Sequence, residues 1–330
     1  MASDDHTIIL KKHARRIARF DELFDTVDDF PKKRVAVAVP HHKAVLESVR
    51  EADSRELADA VLVGDESLIR RAADEAEYEI DPARIVHVPK TVDAARKAAA
   101  LVHDGEAEIL MKGHLHTDDF LRAVLDREKG LRTRAVMSHV FVWEATDVFG
   151  RLVFVTDASM NIAPDLVTKA DILLNAVHLA GMFGVEVPRV AILAAVELIN
   201  PKMPATVEAG SLGKMCERRQ FSPRCVIDGP LALDNALSER AARVKGITGD
   251  VAGRADVLLV PDIEAGNALA KSFTYLTGGR MAGVVVGAAA PVVLTSRADS
   301  AENKLYSMAV AVLMSAFERD LELKIGKVHF

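Results

Sequence analysis

Cysteine is nearly absent: the 330 residues contain only Cys216 and Cys225. They form no CxxC pair, and one possible disulfide does not define a secreted scaffold, so a reducing cytoplasm is the expected setting. The apolar run "IIL" at residues 8–10 is too short for the core of a signal peptide. No long hydrophobic run occurs either. The longest uncharged stretch, Met281–Ser296, is interrupted by Pro291 and many small residues. It falls short of the roughly 18 apolar residues that a membrane helix needs. Positive charge is not in excess: 42 Lys and Arg stand against 48 Asp and Glu, a net charge of −6. That leaves no electrostatic footprint for nucleic acid. The local basic cluster from Lys11 to Arg16 alternates at helical spacing with Leu10, Ile17, Phe20 and Phe24, and reads as the wet face of an N-terminal helix. Signature motifs are missing too. There is no GxxxxGK[ST], no GxGxxG after a first strand and no GxSxG, and neither cysteine has an evident histidine partner. Nothing specifies a covalent enzyme intermediate.

What is present is a strict alternation. Half the residues are apolar, and they fall into short β-branched runs: 34–39, 60–64, 84–88, 108–113, 138–143, 151–157, 189–195, 225–229, 256–262, 283–288 and 291–296. Amphipathic helical patterns lie between most of them, for example 43–59, 91–104, 117–128, 163–183, 231–245, 264–276 and 299–319. Such alternation predicts βαβ units and a mainly parallel sheet. Strands buried on both faces explain why the runs are continuously apolar. The length favours two domains. One segment breaks the rhythm: strands 138–143 and 151–157 are joined by a short polar turn, which predicts a hairpin and a place to pass from one domain to the next.

Ligands of open α/β sheets bind beyond the carboxyl ends of the strands. Past those ends stand Pro40-His41-His42, Lys112-Gly113-His114, Asp157 with Ser159 and Asn161, Asp228-Gly229, Asp262 with Glu264, Gly266 and Asn267, and Ser296-Arg297. In "MKGHLHT", Gly113 permits close backbone approach and Thr117 is a candidate helix cap. His114 and His116 alternate as two metal ligands would, but no third ligand follows at a diagnostic spacing, so no metal is expected. Arg122 lies in the following helix. In "LTSRADSAENK", a serine and an arginine precede a helix that Asp299 or Ser300 can cap. A helix N-terminus, a hydroxyl and a guanidinium together suit an anion, although a simple capped helix would read the same way.

The stretches "LMKGHLHTDDFLRAVLD" (110–126), "SHVFV" (138–142), "DASMNIAPDL" (157–166), "VPDIEAGN" (260–267) and "LTSRADSAENKLYS" (294–307) resemble the phosphate acyltransferases, the phosphate acetyl- and butyryltransferases, from about residue 30 onward. The wording is nearer the butyryl-type branch. The resemblance implies two Rossmann-like α/β domains of the isocitrate/isopropylmalate dehydrogenase-like kind, with an active site in the cleft between them. The expected division is 1–140 plus 297–330, discontinuous, and 141–296. The implied reaction is acyl-CoA + phosphate ⇌ acyl phosphate + CoA, by direct transfer in a ternary complex, with a short acyl group. Coenzyme A is substrate or product, no cofactor is bound permanently, and a homodimer or higher homo-oligomer is expected. Neither nucleic acid nor membrane is an expected partner.

By the same resemblance Ser296 and Arg297 act at the phosphoryl and acyl end. Lys112, Gly113, His116, Thr117, Arg122, Asp157, Asn161, Asp262, Gly266 and Asn267 bind substrate. Two departures matter. Asn303 stands where acetyl-type enzymes carry an acidic residue that takes the thiol proton, which Asn cannot do. Glu302 is the expected catalytic replacement, with Asp299 and His116 as further candidates. An arginine associated with CoA in that branch is replaced near Tyr275. Two other readings predict different behaviour. A hydroxyacid dehydrogenase of the same fold would reduce NAD⁺ with a 2-hydroxy acid. A non-catalytic CoA- or phosphate-binding protein would bind without turnover.

Overall fold

The structure is a computed structural model that describes residues 16–145, 149–321 and 327–329. Most of the expected basic N-terminal helix, and the middle of the 144–150 turn, lie outside the described residues. Along the chain the elements are α1 (Phe20–Val27), β1 (Lys33–Ala38), α2 (Lys43–Ser54), β2 (Ala58–Gly64), α3 (Glu66–Glu75), β3 (Ile85–His87), α4 (Thr91–His103), β4 (Ile109–Lys112), α5 (Thr117–Val124), β5 (Ser138–Glu144) and β6 (Leu152–Thr156). There follow α6 (Leu166–Met182), β7 (Arg189–Leu193), α7 (Pro204–Glu217), β8 (Phe221–Ser222), β9 (Val226–Leu231), α8 (Leu233–Leu237), α9 (Glu239–Val244), β10 (Val257–Leu259), α10 (Ile263–Thr277), β11 (Met281–Val286), β12 (Val292–Val293), α11 (Ala301–Leu321) and β13 (Lys327–Val328). The chain is of mixed α/β class. Among the described residues no helix is long and apolar enough to cross a membrane.

The chain forms two compact units. The first comprises Val27–His139 and Arg280–Lys324. Its strands run in the order β3-β2-β1-β4-β12-β11. All pairings but one are parallel; β11 and β12 are antiparallel. The strands are apolar on both faces because helices cover both. Val35, Val37, Ile109, Leu110, Val284 and Val285 are all fully buried. α11 begins where the Ser300 hydroxyl accepts from the Asn303 amide at 3.1 Å, and Leu305–Met314 are buried along its length.

The second unit comprises Val140–Gly279 with the described parts of Met1–Thr26 and Ile325–Phe330. Its strand order is β5-β6-β10-β7-β9. β5 and β6 form the antiparallel hairpin expected from the interrupted rhythm, and the rest are parallel. Its core stacks Trp143 on Phe273, rings 3.9 Å apart and 6° from parallel, among Val153, Val155, Ala191 and Leu258. The segment that returns to the first unit starts at Arg280. The reason is strand pairing: β12 lies beside β4 and turns back on β11, which brings both strands into the first unit. The 231–245 helix is two helices, because Ser238 takes extended geometry and its hydroxyl caps α9 at the Ala241 amide, 3.3 Å away.

Candidate functional site

In the first unit the polar ends of β4 and β12 meet the start of α11. β4 ends on Lys112, and β12 is followed by Thr295, Ser296 and Arg297. Lys112 is 1% exposed, and its ammonium reaches only the Thr295 carbonyl at 3.3 Å and the Gly113 carbonyl at 3.5 Å. Lys304, one turn into α11, is also 1% exposed. Its ammonium donates to the Ser296 carbonyl at 3.0 Å and the Asp299 carbonyl at 2.7 Å. Asp299 accepts from the Ser296 amide at 2.6 Å. Together these bonds fix the Ser296–Asp299 turn, with Ser296 half-buried and Arg297 exposed.

The charges are unbalanced. Neither buried lysine has a carboxylate ion pair among the described residues. Burial, then Lys304 and Arg297, pull the Lys112 ammonium down from 10.5 to about 8, against the opposing pull of Asp299. Lys304 is lowered by burial, again opposed by Asp299. His114 stacks on His42, with ring centroids 4.9 Å apart and planes 8° apart. Partial desolvation lowers its basicity first, and the neighbouring His42, Arg297, Lys112 and Lys304 add to the effect. His41 accepts from the Asp65 amide at 2.9 Å and is lowered mainly by burial. Lys112, Lys304 and Arg297 thus stand together, with Asp299 as the one acid that acts on the two buried lysines.

The neighbouring segment is set by close packing. A Cβ on Gly113 would lie 2.3 Å from the Val39 carbonyl and 2.4 Å from that of Ala38, so only glycine fits. The Gly113 and His114 amides donate to those same two carbonyls at 2.8 and 2.7 Å. The expected cap at Thr117 shifts by one: His116 occupies the N-cap position and Thr117 opens α5. Arg122 sits exposed on α5 and pairs with Asp119 one turn back at 3.2 Å. Glu302 is exposed, accepts from the Tyr306 hydroxyl at 2.5 Å and lies 3.6 Å from Arg280. Asn303 is buried, and its side-chain oxygen accepts from the Met281 amide at 3.1 Å, a structural bond between α11 and β11.

In the second unit Asp157 directly follows β6. Its carboxylate is buried and saturated: it accepts from the amides of Ser159 (3.0 Å), Met160 (3.2 Å) and Asn161 (3.1 Å) and from the Asn161 side chain (2.6 Å). Asp157 therefore shapes its own loop. Asp262 caps α10 through the Ala265 amide at 2.8 Å. Gly266 lets α10 press on that loop, since a Cβ there would meet the Asp157 carbonyl at 2.8 Å and the Ala158 Cα at 2.9 Å. The Asn267 amide group donates to the Ala158 carbonyl at 3.2 Å. Asp157, Asn161, Asp262, Gly266 and Asn267 are thus one cluster. Among the described residues no group of three or more His, Cys, Asp or Glu could hold a metal ion.

Residues 89–312 match the family described as "Phosphate acetyl/butaryl transferase". The chain belongs to this phosphate acetyl/butyryl transferase family. It is 49% identical over 299 residues to a phosphate butyryltransferase of Clostridium acetobutylicum, covering 91% of this chain and 99% of that one. It is 48% identical over 283 residues to a phosphate acetyltransferase of Rhizobium meliloti, covering 86% and 89%. A crystal structure of a branched-chain phosphotransacylase from Enterococcus faecalis matches with a TM-score of 0.72 at 33% identity, covering 86% of this chain and 99% of that one. One residue of the candidate site in the first unit was not singled out by the pattern. Lys304 looks like an ordinary polar residue at a helix start. The only available signal was the uninterrupted apolar run after it, which marks α11 as buried on nearly every side.

Proposed function

We propose that the chain is a phosphate acyltransferase that exchanges a short acyl group between coenzyme A and inorganic phosphate. The observation that carries this reading is the surplus of positive charge around Ser296. Burying a cation without a counter-charge is expensive, so Lys112 and Lys304 imply a resident anion beside Arg297. Phosphate, or the phosphoryl end of an acyl phosphate, supplies the two negative charges that three cations and one aspartate leave unmatched.

A phosphate oxygen attacks the thioester carbonyl carbon, and the carbonyl electron pair moves to oxygen. The tetrahedral intermediate collapses, the C–S bond breaks and CoA leaves as a thiolate. Arg297 offers a planar fork to the phosphate oxygens. The Ser296 hydroxyl donates to the oxyanion, and the lysines add a fixed positive field in a poorly hydrated setting. Positioning and preorganised electrostatics carry this chemistry. Lys112 and Lys304 also hold the carbonyls of Thr295, Ser296 and Asp299, so they orient the turn that presents Ser296 and Arg297.

In the reverse direction a base must take the thiol proton. Asn303 cannot, and its oxygen is already engaged; we assign this role to Glu302, which solvent reaches. Gly113, His116, Thr117 and Arg122 supply further substrate contacts in the first unit. The Asp157–Asn161 loop and the start of α10, with Asp262, Gly266 and Asn267, supply those of the second. Transfer is direct, in a ternary complex, with no permanent cofactor, and the enzyme works as a cytoplasmic homodimer of two Rossmann-like domains.

The test is a thiol-release assay with acyl-CoAs from acetyl to hexanoyl. Release that requires phosphate and is matched by acyl phosphate supports the proposal. Thermal stabilisation by CoA or phosphate without turnover would make the chain a binding protein. NADH formation from a 2-hydroxy acid would make it a dehydrogenase.

A further inference from the structure

The two cysteines lie in the second unit. Cys216 is in the last turn of α7. The chain then reverses through Arg219, which adopts φ 58°, forms β8 and returns to Cys225 just before β9. The return brings the two thiols together. The Cys216 thiol donates to the Cys225 carbonyl at 3.3 Å, and both sulfurs are free. Cys216 is half-buried and Cys225 is 7% exposed. Both line a cavity of about 650 Å³ with Glu217, Arg219, Ser222 and Arg224. Neither arginine side chain has an ion-pair partner among the described residues, whereas Glu217 is engaged by Lys214. The cavity is therefore reachable, positively biased and floored by a vicinal pair of thiols.

We propose that Cys216 and Cys225 form a thiol–disulfide exchange site that takes an anionic low-molecular-weight disulfide, with Cys216 attacking and Cys225 resolving. The Cys216 thiolate attacks one sulfur of R–S–S–R, a Cys216–S–S–R bond forms and RS⁻ leaves. Cys225 then gives up its proton and attacks the Cys216 sulfur, forming the Cys216–Cys225 disulfide and expelling the second RS⁻. The dithiol is oxidised, the small disulfide is reduced to two thiols, and the two cysteine protons end on them.

The division of labour follows from the surroundings. A bond from the Cys225 thiol, helped by one from the Ile227 amide and opposed by partial burial, stabilises the Cys216 thiolate and lowers the pKa of its thiol. The bond to Cys216 and then burial push Cys225 up. A lowered thiol carries a larger thiolate fraction at neutral pH, and the accompanying loss of nucleophilicity offsets only part of that gain.

The full chain is incubated with glutathione disulfide, with CoA disulfide and with neutral hydroxyethyl disulfide. Free thiols, intact mass and disulfide-linked peptides are followed in time. The expected result is loss of both thiols, a mass lower by two hydrogens and a 216–225 linkage. C225S should stop at a Cys216 adduct, and C216S should stay unmodified. Both anionic disulfides should outpace the neutral one, an advantage lost in R219A/R224A, and their relative rates show which of the two the cavity prefers. Alkylation of Cys216 in the wild-type protein, read by peptide mass, should show a pH midpoint below that of free glutathione. Two thiols that stay free in the native protein, adducts first on Cys225, or equal rates for anionic and neutral disulfides would overturn the proposal.

Discussion

Replacing Lys112 by Met should stabilise the fold and damage the reaction. The fall of the Lys112 ammonium from 10.5 to about 8 corresponds to roughly 3 kcal/mol spent on keeping it charged inside the protein at pH 7. Methionine has a similar length and no charge. Its cost is the loss of two long hydrogen bonds, to Thr295 and Gly113 at 3.3 and 3.5 Å, about 1 kcal/mol together. In a phosphate-free buffer at pH 7 the variant should therefore be more stable by about 2 kcal/mol. The pH dependence has a definite sign. Between pH 8 and 10.5 the unfolded chain keeps the proton that the folded chain has lost, so this group makes wild-type stability rise with pH. The advantage of the variant should fade over the same interval.

Phosphate reverses the balance, because the anion favours the charged lysine. Saturating phosphate at about 100 times its dissociation constant stabilises the wild type by about 2.7 kcal/mol, and the variant should lose most of that protection. A charge pair near 4 Å at an effective dielectric of 20 is worth about 4 kcal/mol, so kcat/KM for phosphate should fall about a thousandfold. Urea unfolding with and without phosphate, beside the CoA-release assay, reads both effects. A variant that is less stable at pH 7, or that keeps the wild-type phosphate KM, would refute the reasoning.

Other substitutions address the remaining parts. Arg297→Ala should lower turnover about a hundredfold or more and weaken the use of phosphate and acyl phosphate, read in steady-state kinetics in both directions. Ser296→Ala should lower kcat more than it raises either KM, because its bond strengthens only as the oxyanion forms. Asp157→Asn swaps an acceptor for a donor facing the amides of Ser159, Met160 and Asn161, and should cost about 2 kcal/mol in urea unfolding. Gly113→Ala drives a Cβ to 2.3 Å from a backbone carbonyl and should cost about 2–3 kcal/mol.

The sheet was legible in the sequence because parallel strands are buried on both faces. "RVAVAV" and "VLLV" need no alternation and point nowhere else. The β5–β6 hairpin was legible because a helix is missing between two apolar runs. Pairing was harder: nothing local in "GVVVGAAAPVVLTS" says that β12 will lie between β4 and β11. Candidate residues at strand ends could be picked out by position, as with Lys112, Asp157 and Ser296. Their states could not. That Asp157 spends its carboxylate on its own loop, or that Lys304 is buried beneath the Ser296 carbonyl, depends on which backbone groups the fold places around them. Helical spacing alone could not say that Arg122 would lie exposed beside Asp119.

The most direct test of the central claim is to mix the protein with butyryl-CoA and phosphate and follow free thiol and acyl phosphate together. The account predicts equimolar appearance of both, strictly dependent on phosphate and slowed about a hundredfold or more in the Arg297→Ala protein. Thiol release that continues without phosphate, or that survives loss of Arg297 unchanged, would contradict it.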